Sequence, residues 1–239
     1  MLSGSEKFYD DIYATMGKDY ATETDKLHGF IRKYRHTDGN RLLDVACGTG
    51  SHAGLLSESY SVEGMDLNTN MLKVARKKHP ALRFTRGDMR DFDLDRQFDI
   101  VLCLFSAIGY MRTKTELRNA IMSMSRHLLP GGVLLVEPWF TPEQWSVGRV
   151  STILVEKPET KIVRMSHSGM KGKISLLDFH YLVGTPKGIK QIVEHHEFGL
   201  FTHTEYMDAF RKAGLDVIHD PEGVDGRGLY IGTTPQMNP

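Results

Sequence analysis

The sequence predicts an α/β protein: a mostly parallel seven-stranded sheet with a small antiparallel β insert after strand five. Three observations predict it. Short apolar runs alternate with helical segments as far as Trp139. One run, "FDIVLCLF" (98–105), is almost continuously apolar, as a strand covered on both faces must be. After Trp139 the alternation stops, and β-like runs split by Pro, Gly and Lys turns fill 150–201.

The elements follow in order. The first 35 residues mix apolar and aromatic positions with charges and read as helical. "RLLDVA" (41–46) is a buried strand, and "SHAGLLSES" after it is a helix. "YSVEGMD" (60–66) is strand two. Asn68 then N-caps a helix that Pro80 ends. "LRFTRGD" (82–88) is strand three and 98–105 strand four. Thr113 with Glu116 fits a capping box, and Leu117, Ile121, Met124 and Leu128 share one helical face. "LPGG" closes that helix, and "GVLLVEPW" (132–139) is strand five. Residues 150–201 hold three or four antiparallel strands. "HTEYMDAFRKAG" is a helix with Gly214 at its C-terminal end. "LDVIHD" and "GLYIGTT" return two strands to the main sheet, one of them antiparallel in a hairpin-like finish.

Composition excludes several classes. The 239 residues suffice for one sizeable core. Lys plus Arg and Asp plus Glu are 30 each, so charge points to neither nucleic acid nor membrane. Two cysteines, Cys47 and Cys103, make no disulfide framework and lack metal-ligand spacing. With no signal pattern and no 18-residue apolar run, the expectation is a cytoplasmic enzyme.

The informative stretch is "LLDVACGTGSHAGLL" (42–56), a strand, a tight turn and a helix. Glycine lets a ligand approach the main chain, and the turn presents N–H groups. Gly48, Gly50 and Ala53 formally satisfy the dinucleotide fingerprint, with Asp66 placed for a ribose hydroxyl pair. A tight strand-to-helix turn needs glycine whatever it binds. Asp44, however, sits in the strand four residues before Gly48 and would repel a pyrophosphate. A ligand with a positive centre and no phosphate suits it better. Asp88 in "RGDMRDF" lies at the carboxyl edge of the sheet, where it can accept from an exocyclic amine.

"LLDVACGTG", Asp66, "GDMRDF" and "LPGGVLLVEPW" together resemble the class I S-adenosylmethionine-dependent methyltransferases, over about residues 40–140. The resemblance implies a Rossmann-like sheet of seven strands, the last antiparallel. It implies S-adenosyl-L-methionine as donor, S-adenosyl-L-homocysteine as product, and no metal. Asp44 and the 46–50 turn would face the methionine part, with Ala46, Gly48 and Gly50 named there. Asp66 would hold the ribose, Asp88 the adenine amine, and Met89 would lie against the ring. Leu67, Met71 and Leu104 complete the set. Ala46 departs from the glycine of many members; the tight part of the turn lies at 48–50.

A closer resemblance spans nearly the whole chain. "GKDYA", "FSAIGY", "VEPWF", "RMSHS", "FHYLV" and "GRGLY" are similar to words in the N,N-dimethyltransferases of nucleotide-linked amino sugars, enzymes of deoxysugar and antibiotic biosynthesis. The implied acceptor is a thymidine-diphosphate (TDP) amino sugar, methylated twice. Some members are homodimers, which sets a homodimer as the default expectation. The implied organisation is a cofactor-binding core with a helical lid (1–149), an insert over the acceptor site (150–201) and the returning core (202–239). Tyr20, in "GKDYA", is placed near the methionine part.

Methyl transfer needs alignment in a dry pocket and an amine that has shed its proton. Tyr110 and Tyr13 are the catalytic candidates, Tyr110 as an orienting hydrogen-bond partner, since a phenol of ordinary pKa is a poor base at neutral pH. Both Tyr13 and Tyr20 read equally as core aromatics. Arg227, flanked by glycines, is the candidate for the diphosphate. Arg149 and Arg164 are weaker candidates for the same charge. His167, His180 and Tyr181 are acceptor-side candidates in the insert, although a lone strand histidine is as readily a packed or surface residue. Trp139 and Trp145 either floor the acceptor pocket or seal the insert against the sheet. In "EHHE" (194–197), adjacent strand histidines face opposite ways and cannot grip one ion. The rivals are a methyltransferase with a different small-molecule acceptor, an NAD-dependent oxidoreductase using the 48–53 turn, and a non-catalytic cofactor-binding protein.

Overall fold

A computed structural model describes residues 4–235. Two short helices open the chain, α1 (Tyr9–Thr15) and α2 (Tyr20–Tyr34). The alternating stretch forms β1 (Arg41–Val45), α3 (Ser51–Leu56), β2 (Ser61–Asp66), α4 (Thr69–Lys78), β3 (Arg83–Arg86), β4 (Phe98–Cys103), α5 (Lys114–Arg126) and β5 (Leu128–Val136). Strands β6 (Val150–Lys157), β7 (Thr160–Lys171), β8 (Ile174–Thr185) and β9 (Gly188–Gly199) follow. The chain returns through α6 (His203–Lys212), β10 (Asp216–Asp220) and β11 (Leu229–Thr233).

The main sheet has seven strands in the order β10-β11-β5-β4-β1-β2-β3. Strands β3, β2, β1, β4 and β5 run parallel; β11 is antiparallel to both β5 and β10. Crossover helices cover both faces, so the strands alternate between two cores. Leu43 and Val45 pack with Leu117, Met124 and Phe210 on one side. Leu42 packs with Leu27, Ile31 and Leu72 on the other. The same alternation turns Asp44 to the α2–α4 side, where it is 3% exposed. The carboxyl ends of the parallel strands share one edge, the usual place for a ligand crevice.

β6 to β9 form a separate four-stranded antiparallel meander. Its pleat is strict. On β8, Phe179 and Tyr181 are buried while His180 is exposed. On β9, Glu194 and His196 are buried while His195 is exposed. The inner face packs around Ile12 of α1 with Val155, Ile162 and Val183. A helix and a sheet thus wall the crevice from above.

The start of β5 and the first capping box differ from the sequence reading. β5 begins at Leu128, so "LPGG" lies inside the strand, where its register against β4 shifts between Phe98 and Ile100. Gly131, at φ +77°, makes that bulge possible. The Thr113 box is half formed: Thr113 accepts Glu116 N–H at 3.1 Å, but Glu116 accepts the N–H of Arg112, one residue early. The complete box is at α6, where Thr202 and Glu205 each accept the other's N–H.

Candidate active site

The glycine turn is built on left-handed backbone. Ala46 (φ +60°), Gly48 (+55°) and Gly50 (+76°) all have positive φ. Ala46 therefore carries left-handed strain itself; the tight part begins there, earlier than 48–50. Its donors are largely taken. Cys47 N–H goes to Met65 O at 3.0 Å, Gly48 N–H to Asp66 Oδ2 at 2.8 Å, and Gly50 N–H to Cys47 O at 2.9 Å. Asp10 of α1 sits over the start of α3, accepting from Thr49 Oγ1 at 2.6 Å and Ser51 Oγ at 3.2 Å. A pyrophosphate finds spent donors and a second carboxylate here, which argues against the dinucleotide reading.

Three carboxylates define this end. Burial pushes Asp44 up to about 8, with the neighbouring Asp66 charge adding to the effect. It is buried, and a nearby cation would favour its ionised form. It lies beneath the turn rather than in the crevice wall. Asp66 lines the crevice, raised by burial against the N–H groups of Asn68, Gly48 and Leu67. Arg90 forks onto Asp88, closing to 2.6 Å, and its hydrogen bonds hold that carboxyl below its ordinary range. These acids fit a sulfonium-bearing amino acid joined to adenosine.

A single crevice of about 870 Å³ runs from these acids to the insert. Ala46, Gly48, Leu67, Met71, Met89 and Leu104 line its first part. Gly50 does not: a Cβ there would meet Phe84, Ala75 and His79, so it faces the α3–α4 packing. Tyr20 is also off the crevice, its ring edge-on to His52 at 4.9 Å.

The far part holds Tyr13, Tyr110, Trp139, Arg227, Arg149 and Tyr181. Tyr13 stands edge-on to Phe105 at 4.7 Å, so α1 closes onto the end of β4. That end is strained, with Phe105 and Ser106 at positive φ. Glu137, fully buried after β5, holds it by accepting Phe105 N–H at 2.9 Å. Burial raises Glu137 to about 7, and Arg227 lies 3.9 Å away while donating to Ser106 Oγ at 3.0 Å. Trp139 both floors and seals: it lines the crevice and donates Nε1–H to Ser175 of β8 at 2.9 Å. Trp145 ties the same wall to β7 through Gly169 O.

His167 and His180 do not reach the crevice. Both occupy exposed positions of the pleat, facing away from it. Their strand neighbours do reach it: Ser166 and Ser168 beside His167, Phe179 and Tyr181 beside His180. Arg164 is the strongest of the underweighted residues. It is 5% exposed, lies 4.6 Å over the Phe179 ring and 5.6 Å over Tyr13, and its Nε has no partner among the described residues. Counting the period-2 alternation from Phe179 would have found it, Ser166 and His196 together.

The methyltransferase-domain family matches residues 42–132. A dTDP-3-amino-3,6-dideoxy-α-D-glucopyranose N,N-dimethyltransferase of Streptomyces fradiae is 42% identical, over 95% of this chain and 89% of that one. The chain belongs to the family of TDP-amino-sugar N,N-dimethyltransferases. It is an S-adenosylmethionine-dependent methyltransferase. The crystal structure of Streptomyces venezuelae DesVI superposes with a TM-score of 0.91 at 38% identity, covering 98% of this chain and all of that one. The S-adenosylmethionine-bound amino pentose methyltransferase CalS10 from Micromonospora echinaspora superposes at 0.85, with 38% identity and 94% of this chain covered, 95% of the other. This dimethyltransferase-family chain therefore shares its overall fold with those sugar methyltransferases.

Proposed function

We propose that the protein methylates the amine of a TDP-linked amino sugar, and does so twice to give the N,N-dimethyl product. The observation that carries this is the two-ended crevice: carboxylates at the sheet edge, and arginines with serine hydroxyls on the insert, in one volume of about 870 Å³. The acidic end suits a cationic donor, and the basic end a diphosphate.

S-adenosylmethionine, when bound, supplies an electrophilic methyl group on a sulfonium sulfur. The chain's part is to hold, align and keep dry. Asp66 takes the ribose hydroxyls and Asp88 the adenine amine, with Met89 against the ring. Asp44 stabilises the positive end through the turn. Tyr13 and Tyr110 orient the acceptor amine, and Trp139 and Tyr181 bound its sugar. Arg227 meets the diphosphate, with Arg149 and Arg164 beyond it. The methyl group is already activated by positive sulfur, so a metal-independent reaction belongs to the same proposal.

So does a homodimer in the cytoplasm. Leu154, Met165 and Leu182 are about half exposed on the insert, an apolar surface that a second copy would cover. No described helix is long and apolar enough to cross a membrane. The deciding experiment incubates the protein with methyl-labelled donor and a panel of nucleotide-linked amino sugars. Two labels per acceptor amine are expected. No transfer to any panel member, with transfer to other amines or hydroxyls instead, would move the acceptor to another small-molecule class.

A further inference from the structure

Tyr110 stands on a buried histidine. Its hydroxyl lies 2.9 Å from His196 Nδ1, and His196 Nε2 lies 3.5 Å from Glu194 Oε2. His196 is 4% exposed and Glu194 2%. Phe198 lies parallel to the imidazole at 5.9 Å, and Phe179 meets it edge-on at 5.2 Å. Tyr181 donates its O–H to Glu194 at 3.2 Å. Packing alone would be served by an apolar ring in this box; a desolvated imidazole over a carboxylate is a costly choice.

Nε2 makes no hydrogen bond among the described residues but faces the Glu194 carboxylate, whose charge favours the proton on Nε2; Nδ1 is then a lone pair, and Tyr110 donates its O–H to it. The oxygen of Tyr110 then presents its own lone pairs to the crevice. Nearly half of the Tyr110 surface is open there, beside Tyr13 and Trp139.

We propose that His196 is a positioning residue that draws the proton from the acceptor ammonium through Tyr110, a role that rests on the amine acceptor proposed above. One ammonium N–H bond breaks as its proton bonds the Tyr110 oxygen. In the same movement the Tyr110 O–H bond breaks and that proton bonds His196 Nδ1. The pair left on nitrogen is the nucleophile. Charge passes from ammonium to an imidazolium beside the Glu194 carboxylate, and no phenolate forms. Afterwards Nδ1 returns its proton to the Tyr110 oxygen, and the proton of Tyr110 leaves to water in the crevice. The second methylation repeats the cycle.

Several titratable groups surround the pair. Tyr9 and Tyr13 of α1, Asp66 at the end of β2 and Tyr181 of β8 are the titratable groups that act on Tyr110, together with Glu194. Arg164 of β7 acts on Tyr181. His195 and Glu197, on the other face of β9, are taken up by Asp178 and Arg112.

The test is the pH profile of single-turnover methylation of a TDP-amino sugar, from pH 6 to 9.5, for the native enzyme, His196→Phe and Tyr110→Phe. S-adenosylhomocysteine binding, measured by calorimetry, checks that each variant folds. The His196→Phe rate is expected to fall about 100-fold at pH 7, the low end for a proton-transfer group. The deficit should shrink with rising pH as the free amine deprotonates unaided. A deficit of equal size at every pH, or none, overturns the relay. If His196→Phe fails to bind S-adenosylhomocysteine, Tyr110→Phe decides by the same criterion. A native enzyme that binds S-adenosylhomocysteine yet turns over no amino sugar would instead overturn the acceptor, and the relay with it.

Discussion

Asp66 Oδ2 accepts the backbone N–H of Gly48 at 2.8 Å, while Oδ1 accepts that of Asn68 at 2.7 Å. One carboxylate thus joins the end of β2 to the glycine turn and still fronts the crevice. Its removal should loosen the turn and lose the proposed ribose contact together. Hydrogen bonds to a charged group are worth roughly 1.5–3 kcal/mol each, so Asp66→Ala should weaken S-adenosylhomocysteine binding by about 10–100-fold. Calorimetric titration checks this. Affinity within twofold of the native value would remove Asp66 from the cofactor site.

Asp44 should make cofactor binding pH-dependent. Its folded pKa, about 8, lies above the ordinary carboxyl value. A raised acid is protonated in the folded state and ionised in the unfolded chain between pH 4 and 8. The folded state therefore binds more protons, and stability falls as pH rises through that window. Asp44→Asn should remove that slope, leaving the ligand-free variant the more stable at pH 8. A cationic ligand favours the ionised form, so affinity should rise from pH 6 to 8 with net proton release. Titrations in buffers of different ionisation enthalpy read the proton directly, and the Asn variant should show none.

The fold was legible where one physical pattern held over several residues. β4 reads as buried from its almost continuous apolar run, and Asn68 reads as a cap from its residue type before the helix, a role its side chain fills by accepting Asn70 N–H at 2.9 Å. The start of β5 was not legible, because Pro130 and the glycine pair signal a turn while tertiary pairing with Phe98 extends the strand through them. At the site, Asp66, Asp88 and Gly48 follow from the turn and the sheet edge. Gly50 does not, since its glycine serves contact with Phe84 and Ala75 rather than a ligand. In the insert the resemblance selected words, whereas the pleat selects alternate letters. His167 and His180 fell on the wrong parity; Arg164, Ser166 and His196 fell on the right one.

Thr202 carries a stability prediction away from the chemistry. Its hydroxyl accepts Glu205 N–H at 3.3 Å, and Glu205 returns the bond at 2.9 Å while also pairing with Lys114 at 2.7 Å. Thr202→Ala should cost about 1 kcal/mol. For a chain of this length that is a fall of about 2–4 °C in Tm. Methyl transfer at 25 °C should be unchanged, because α6 lies behind β11 and β5. Scanning calorimetry and a rate assay on the same sample test both halves.

Arg227 and Arg164 should separate in their effects, although both are arginines at the acceptor end. Arg227 is a third exposed and already engaged, with Ser106, Glu137 and Asp225 around it. Arg164 is buried on two aromatic faces with an unpartnered Nε. Replacing Arg227 by Ala should remove the proposed diphosphate contact and also one of the two cations, with Lys18, that act on the buried Glu137. KM for the nucleotide sugar should rise about tenfold or more, the scale of one charge-assisted hydrogen bond. Glu137 should then gain protons more readily, so this variant should lose stability toward high pH, where its carboxylate is ionised with Lys18 as its remaining cation. Arg164→Met keeps the stacked volume and removes only the charge. It should raise KM by a similar factor without that pH-dependent loss. Steady-state kinetics with the acceptor varied, paired with melting curves at pH 6 and pH 9, distinguish the two. Equal KM values for both variants and the native enzyme would place the diphosphate elsewhere along the crevice.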